Sequence, residues 1–259
     1  MGIMDSLDKI DLKKADPALM SERIENFPEM CADAYQVSQQ YSIPSYYIKV
    51  KKVVLIGMGG SGAANDIVKD LVSETLSIPV ESIHNYVLPG YVDAETLVIV
   101  SSYSGETEEV LSAFISAYQR GVKLIAITTG GKLKTLASKY HAPLFEFELK
   151  ACPRAAFPYL FTILISVFEK LGFISDFGAT FPKLISTLEE ARQKYGLSSP
   201  LFSNPAKIMA QKLYGKLHAE SRIKSMKTAK ILLPTKSSLS LITMQFRAWF
   251  SRQIQLISS

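Results

Sequence analysis

Five short strand-like segments, the first of them apolar and β-branched, punctuated by loops of glycine and hydroxyl residues, constrain this chain more than any other feature. Residues 53–56 end in Gly57-Met58-Gly59-Gly60-Ser61-Gly62 and lead into a helical stretch over 63–75. A second run covers 78–82. The third, 96–100, ends in Ser101-Ser102-Tyr103-Ser104-Gly105-Glu106-Thr107, and the helix expected over 108–120 gathers Val110, Leu111, Phe114 and Tyr118 on one face. The fourth, 123–127, precedes Thr128-Thr129-Gly130-Gly131 and a helix over 132–139, and the fifth is 144–149. Strands alternating with helices of about a dozen residues imply an α/β fold, a five-stranded parallel sheet covered on both faces. Ligands of such sheets sit at the carboxyl ends of the strands, near a topological switch point.

Around this core the pattern is helical. Met20, Ile24, Phe27, Met30, Ala34 and Val37 recur near a 3.6 period, with a break expected near Phe27 because Pro28 does not suit a helix interior. Helices are also expected over 154–171, which carries Phe157, Leu160, Leu164 and Phe168, and over 187–195. Residues 200–205 are turn-rich and read as a linker, after which Asn204 and Pro205 supply an N-cap and an N1 proline. The organisation expected is an N-terminal helical segment (1–50), a first α/β subdomain (51–200) and a further segment (201–259).

Two loops share one design, each leaving a buried strand to open a helix. The first turn of a helix has unpaired N–H groups and partial positive charge, which suits an anion such as phosphate. Ser61, Ser102, Ser104 and Thr107 add hydroxyl donors. Neither loop has the lysine-bearing pattern of a nucleotide-hydrolysing P-loop. Gly57, Gly59 and Gly62 fit a dinucleotide fingerprint, with Glu81 near the end of the next run, so an NAD-dependent oxidoreductase is the rival reading. The second hydroxyl-rich loop favours one small phosphorylated molecule instead.

The GMGGSG loop, SYSGETEE (102–109 begin at Ser102), TGGKL (129–133) and PRAA (153–156) together resemble the sugar isomerase (SIS) superfamily, and more narrowly the bifunctional phosphoglucose/phosphomannose isomerases, over about residues 20–216. The resemblance implies a SIS-type three-layer sandwich, two SIS subdomains and a homodimer. It implies an aldose–ketose isomerase that interconverts glucose 6-phosphate or mannose 6-phosphate with fructose 6-phosphate by an enediol route, with no cofactor and no metal. Carried over by motif, Ser102, Ser104 and Thr107 hold the phosphate, and Gly60 and Ser61 line the sugar. Arg154 is the catalytic candidate, its guanidinium stabilising the enediolate. The family usually has Asn where Glu106 stands, and a carboxylate there would repel phosphate unless turned away. Ser101 and Tyr103 are given packing or strand-end roles. A non-catalytic phosphosugar-binding or regulatory module is the alternative within the same fold.

The family pattern fails toward the C-terminus, which makes the second SIS subdomain (201–259) an incomplete remnant. Where the family carries runs like NENSK, with its base, and PELNHN, with a ring-opening histidine, this sequence has neither. Permissible codons for residues 226–246, read with the first two bases dropped, encode ENSKNTSSYQVFPELNHNAI. That string contains both runs in order, so a frameshift after about Ser225 is expected, and with it impaired isomerisation. Residues 217–259 also hold seven of the 29 Lys and Arg against one acid, Glu220. No nucleic-acid motif accompanies that basic excess, so nucleic acid is not an expected partner.

Composition closes other routes. No apolar run reaches about 18 residues, so no membrane partner is expected, and the first 25 residues are too polar and acidic for a signal peptide. The two cysteines, Cys31 and Cys152, match no metal motif. His84, His141 and His218 read as surface or packing residues, Lys132 as a helix-capping or solvated lysine. A soluble cytoplasmic protein is expected.

Overall fold

The structure, a computed structural model, describes residues 7, 8, 11 and 16–213 of the 259. They divide into two compact units, one within 26–185, the other from the described residues of 1–25 and 186–213.

The larger unit is built on strands β1 (Lys52–Gly57), β2 (Val80–Ile83), β3 (Thr96–Ser102), β4 (Lys123–Thr128) and β5 (Leu144–Glu146). They form one five-stranded sheet in the order β2-β1-β3-β4-β5, and every pairing is parallel. Successive side chains of a strand point to opposite faces, so a sheet covered on both sides needs apolar residues at every position. β3 is buried throughout and meets that demand over Leu97–Val100, with Thr96, Ser101 and Ser102 as buried polar residues at its ends. On one face Val54, Ile56, Val98, Val100, Leu124 and Ala126 pack against α4 (Glu108–Gln119) and α5 (Gly131–Lys139), which contribute Val110, Phe114, Leu133 and Ala137. The alternate residues Val53, Leu55, Leu97, Ile99, Ile125 and Ile127 are equally buried. Their face carries α3 (Gly59–Val72) and α6 (Phe157–Lys170), and α6 is covered in turn by α2 (Phe27–Gln39). The result is a three-layer α/β sandwich. Enclosure by sheet and helices explains why α6 is apolar on every side, with Pro158 to Phe168 buried without interruption.

Element boundaries depart from the sequence reading in instructive places. The break near Phe27 falls between α1 (Met20–Glu25) and α2, with Pro28 in the first turn of α2, where its missing N–H costs nothing. α3 starts at Gly59 rather than at 63, because the glycine loop itself winds into the first turn. β5 ends at Glu146 rather than at 149, and a 3₁₀ turn (Pro153–Ala156) precedes α6. α7 (Phe177–Tyr195) begins well before 187 and tolerates Pro182. Its first turns are anchored where Tyr35 stacks on Phe181 at 4.4 Å between ring centroids.

In the smaller unit, Asn204 caps α8 (Pro205–Leu213) as expected, its Oδ1 accepting from Ala206 N at 2.9 Å and Lys207 N at 3.1 Å. Lys207 Nζ pairs with Asp8 at 2.7 Å. The remainder of the expected second subdomain, the basic tail and the frameshift region lie outside the described residues.

Candidate functional site

β1 has β2 on one side and β3 on the other, so the chain leaves β1 toward one face and β3 toward the other. That is the topological switch point, and the crevice it opens lies at the carboxyl ends of these two strands. Gly57 is in register with Ser101. The glycine loop and the hydroxyl loop therefore emerge side by side from neighbouring strands at one sheet edge.

The hydroxyl loop is held in shape from within. Ser102 Oγ lies 3.0 Å from Thr107 Oγ1 and accepts from Gly105 N at 3.1 Å. Ser104, exposed, accepts from Glu106 N at 3.2 Å through its Oγ. Thr107 stands at the N-cap of α4 with no side-chain cap bond, which leaves its hydroxyl to Ser102 and leaves the first turn of the helix open. Gly105 has φ +64°, and an added Cβ would stand 1.9 Å from Gly130 O. Only glycine allows the loop to press so closely on the turn after β4, where Leu133 N donates to Gly105 O at 3.0 Å.

Glu106 does not face the loop as an unbalanced charge. Its Oε1 accepts from Lys132 N at 2.9 Å, capping α5, and its Oε2 pairs with Lys132 Nζ at 3.0 Å. The hydrogen bonds from the Lys132 side chain and backbone hold this carboxyl below the usual range. The repulsion expected from a carboxylate in place of Asn is thereby offset by Lys132, which takes part in more than capping its own helix.

The third component comes from after β5. An ideal Cβ on Gly60 would lie 3.2 Å from Pro153 O and 3.5 Å from Arg154 Cα. The glycine loop is thus packed directly on the turn that carries Arg154, an exposed residue with no ion pair among the described residues. Ser61, next to Gly60, is 6% exposed. The sequence-derived candidates all lie at the carboxyl end of the sheet, Ser102 as the last residue of β3 and Gly60, Ser61, Ser104, Thr107 and Arg154 on loops or first helical turns.

Two neighbours were not legible in the sequence. Tyr103 Oη reaches the backbone of Leu149 and Ala151, beyond the end of β5, so its role exceeds strand-end packing. His84 fastens the glycine loop, with Nδ1 2.8 Å from Gly57 O and Nε2 2.9 Å from Asp66 Oδ1. Neither contact has a local sequence signal, since each joins residues far apart in the chain. Cys31 is 1% exposed, and burial pushes its thiol up to about 12, which leaves it unreactive. Among the described residues no cluster of His, Cys, Asp or Glu could hold a metal ion, and no helix is long and apolar enough to cross a membrane.

The rival dinucleotide reading loses ground on two points. The strand order is 2-1-3-4-5, not the 3-2-1-4-5-6 order of the dinucleotide fold. Glu81, the ribose-binding candidate, is engaged by Tyr91 Oη.

The parallel sheet in the order 2-1-3-4-5 makes this a doubly wound α/β domain with two loops side by side at its switch point, and residues 46–141 match the SIS domain family. The chain is 40% identical over 198 residues to a bifunctional phosphoglucose/phosphomannose isomerase from Caldicellulosiruptor bescii, covering 76% of this chain and 58% of that protein. It is 32% identical over 166 residues to a protein of the same name from Aquifex aeolicus, covering 64% and 48%. In fold it resembles the C-terminal domain of glucosamine-fructose-6-phosphate aminotransferase from Francisella tularensis, with a TM-score of 0.54 at 16% identity, covering 73% of this chain and 56% of that one. Over most of its length the chain is thus similar to the bifunctional phosphoglucose/phosphomannose isomerases. It spans about half the length of the curated relatives it matches.

Proposed function

We propose that the crevice between β1 and β3 binds a hexose 6-phosphate and serves the interconversion of glucose 6-phosphate or mannose 6-phosphate with fructose 6-phosphate. The observation that carries this reading is the convergence of the hydroxyl loop, the glycine loop and the Arg154 turn on one sheet edge, with Gly60 seated on Pro153–Arg154. Ser102, Ser104, Thr107 and the first turn of α4 hold the phosphate. Gly60 and Ser61 bound the sugar. In the enediol route a proton leaves C2 of the aldose and is returned to C1, and negative charge develops on the adjoining oxygen. Arg154 stabilises that charge, a preorganised cation being worth most where charge appears only in the transition state.

Residues 1–259 carry neither the NENSK-like nor the PELNHN-like run, so the base and the ring-opening histidine of the family reaction have no counterpart here. General acid–base groups contribute about 10²- to 10⁴-fold each. The chain therefore binds its sugar phosphate better than it turns it over. A homodimer, the assembly the family resemblance implies, is part of the same reading.

The test is binding and turnover side by side. Calorimetric titration with fructose 6-phosphate should give saturable binding that Ser104→Ala weakens about tenfold, while NAD gives none. A coupled isomerase assay should show turnover at least a hundredfold below that of a full-length relative. Binding of NAD without sugar phosphate would overturn the reading. Full turnover would overturn the account of the missing groups.

A further inference from the structure

We propose that Tyr103 is a positioning residue that ties the phosphate loop to the turn bearing Arg154, so that filling the phosphate cradle also fixes the guanidinium. The inference rests on the binding reading above and deepens it.

Tyr103 lies between two phosphate-loop serines, Ser102 and Ser104, and its backbone is part of that loop. Its carbonyl is pinned by Thr129, whose N lies at 3.3 Å and whose Oγ1 lies at 2.7 Å. Its side chain serves a different segment. Tyr103 Oη stands 2.8 Å from Leu149 O, 2.7 Å from Ala151 O and 3.0 Å from Ala151 N. A phenol has one proton to give, which it shares between the two carbonyls, and its oxygen accepts from the Ala151 amide. With those bonds made, the hydroxyl is committed to backbone rather than to a ligand.

The segment it holds needs holding. β5 stops at Glu146, and the last bond toward the sheet is Phe147 N to Thr128 O at 3.2 Å. Between there and the 3₁₀ turn, the phenol holds the backbone at Leu149 and Ala151. Only Cys152 and Pro153 separate Ala151 from Arg154, and the turn itself is closed by Ala155 N donating to Cys152 O at 2.9 Å. Proline restricts that path further. The Arg154 turn is thus fastened from the hydroxyl loop through Tyr103, and Gly60 of the glycine loop packs on its backbone.

Tyr103→Phe keeps the ring and removes only the hydroxyl. Two probes separate the two ends of the link: inorganic phosphate, which reads the cradle alone, and a five-carbon aldonate 5-phosphate, whose carboxylate stands in for the enediolate that Arg154 would face. Titration of the variant should leave the phosphate Kd within twofold and weaken the aldonate phosphate about tenfold. Arg154→Ala should cause a comparable selective loss, and the double variant should be no weaker than Arg154→Ala alone, because a residue acting through another adds nothing once that other is gone. Hydrogen exchange on the unaltered chain supplies a readout that does not depend on the variant folding: protection of the Ala151 amide should rise when inorganic phosphate binds. Equal loss of both ligands, additive losses in the double variant, or Ala151 protection indifferent to phosphate would each overturn the link. If the unaltered chain bound neither probe, the binding reading would fall as well, whereas normal binding with an unaffected Tyr103→Phe variant would sink the link alone.

Discussion

Gly60 rests on Arg154: a side chain of one carbon at residue 60 would come within 3.5 Å of the arginine Cα and 3.2 Å of Pro153 O. The residues are 94 positions apart, and their contact joins the glycine loop to the proposed catalytic turn. Gly60→Ala can be accommodated by a shift of a few tenths of an ångström, and alanine favours the helical first turn by about 0.5–1 kcal/mol. Stability should therefore change by less than about 1 kcal/mol. The displaced turn should still cost several-fold in affinity for the aldonate phosphate, read by calorimetry beside a melting curve. Unchanged affinity would mean that the close approach does not set the position of Arg154.

Ser102 and Ser104 should separate when each is changed to alanine. Ser102 is 1% exposed, and its Oγ satisfies Gly105 N and meets Thr107. Its loss strands a buried N–H, at a cost of about 1–3 kcal/mol. Ser104 is exposed, and its loss should cost less than about 0.5 kcal/mol. Both variants should bind phosphate more weakly. Denaturant midpoints and phosphate titrations check the pair, and equal stabilities would contradict the internal role of Ser102.

The Glu106–Lys132 link should give a pH-dependent increment of stability. Because the folded state holds the Glu106 carboxyl below its ordinary value, the link is fully present above the carboxylate range and is lost as the pH falls through it. The stability difference between the unaltered chain and Glu106→Gln should be largest near neutrality and vanish in acid. Both groups are well exposed, so the increment is small and should shrink further in high salt. Urea unfolding at several pH values measures it, and a difference that grew on acidification would reverse the sign argued here.

Ser101 Oγ is buried and finds no hydrogen-bond partner among the described residues. A hydroxyl in that state contributes desolvation cost without a compensating bond. Ser101→Ala should therefore leave the melting temperature unchanged or raise it, and phosphate binding should persist. A fall of several degrees would show that the hydroxyl is satisfied in solution.

The parallel sheet was legible from residues 53–149 because its central strands β1, β3 and β4 are buried on both faces and mostly apolar, and the breaks after them carry glycine or hydroxyl residues. Chain order alone also grouped the hydroxyls of Ser102, Ser104 and Thr107, since a strand-to-helix turn concentrates its donors within a few residues; the phosphate role given to them came from the family resemblance. The start of α3 at Gly59 escaped the periodicity, because glycines carry no hydrophobic signal even where they are helical. Local pattern could not show which loops meet. That depended on β3 pairing with β1 rather than with β2, which placed Gly57 beside Ser101. Nor could it show that Tyr103 supports residues 149–151, that His84 fastens Gly57, or that Glu106 is answered by Lys132. Each of these joins side chains to partners at least 26 positions away. Sequence encodes such pairs only through the packing of the sheet and its helices, and the tertiary structure decided them.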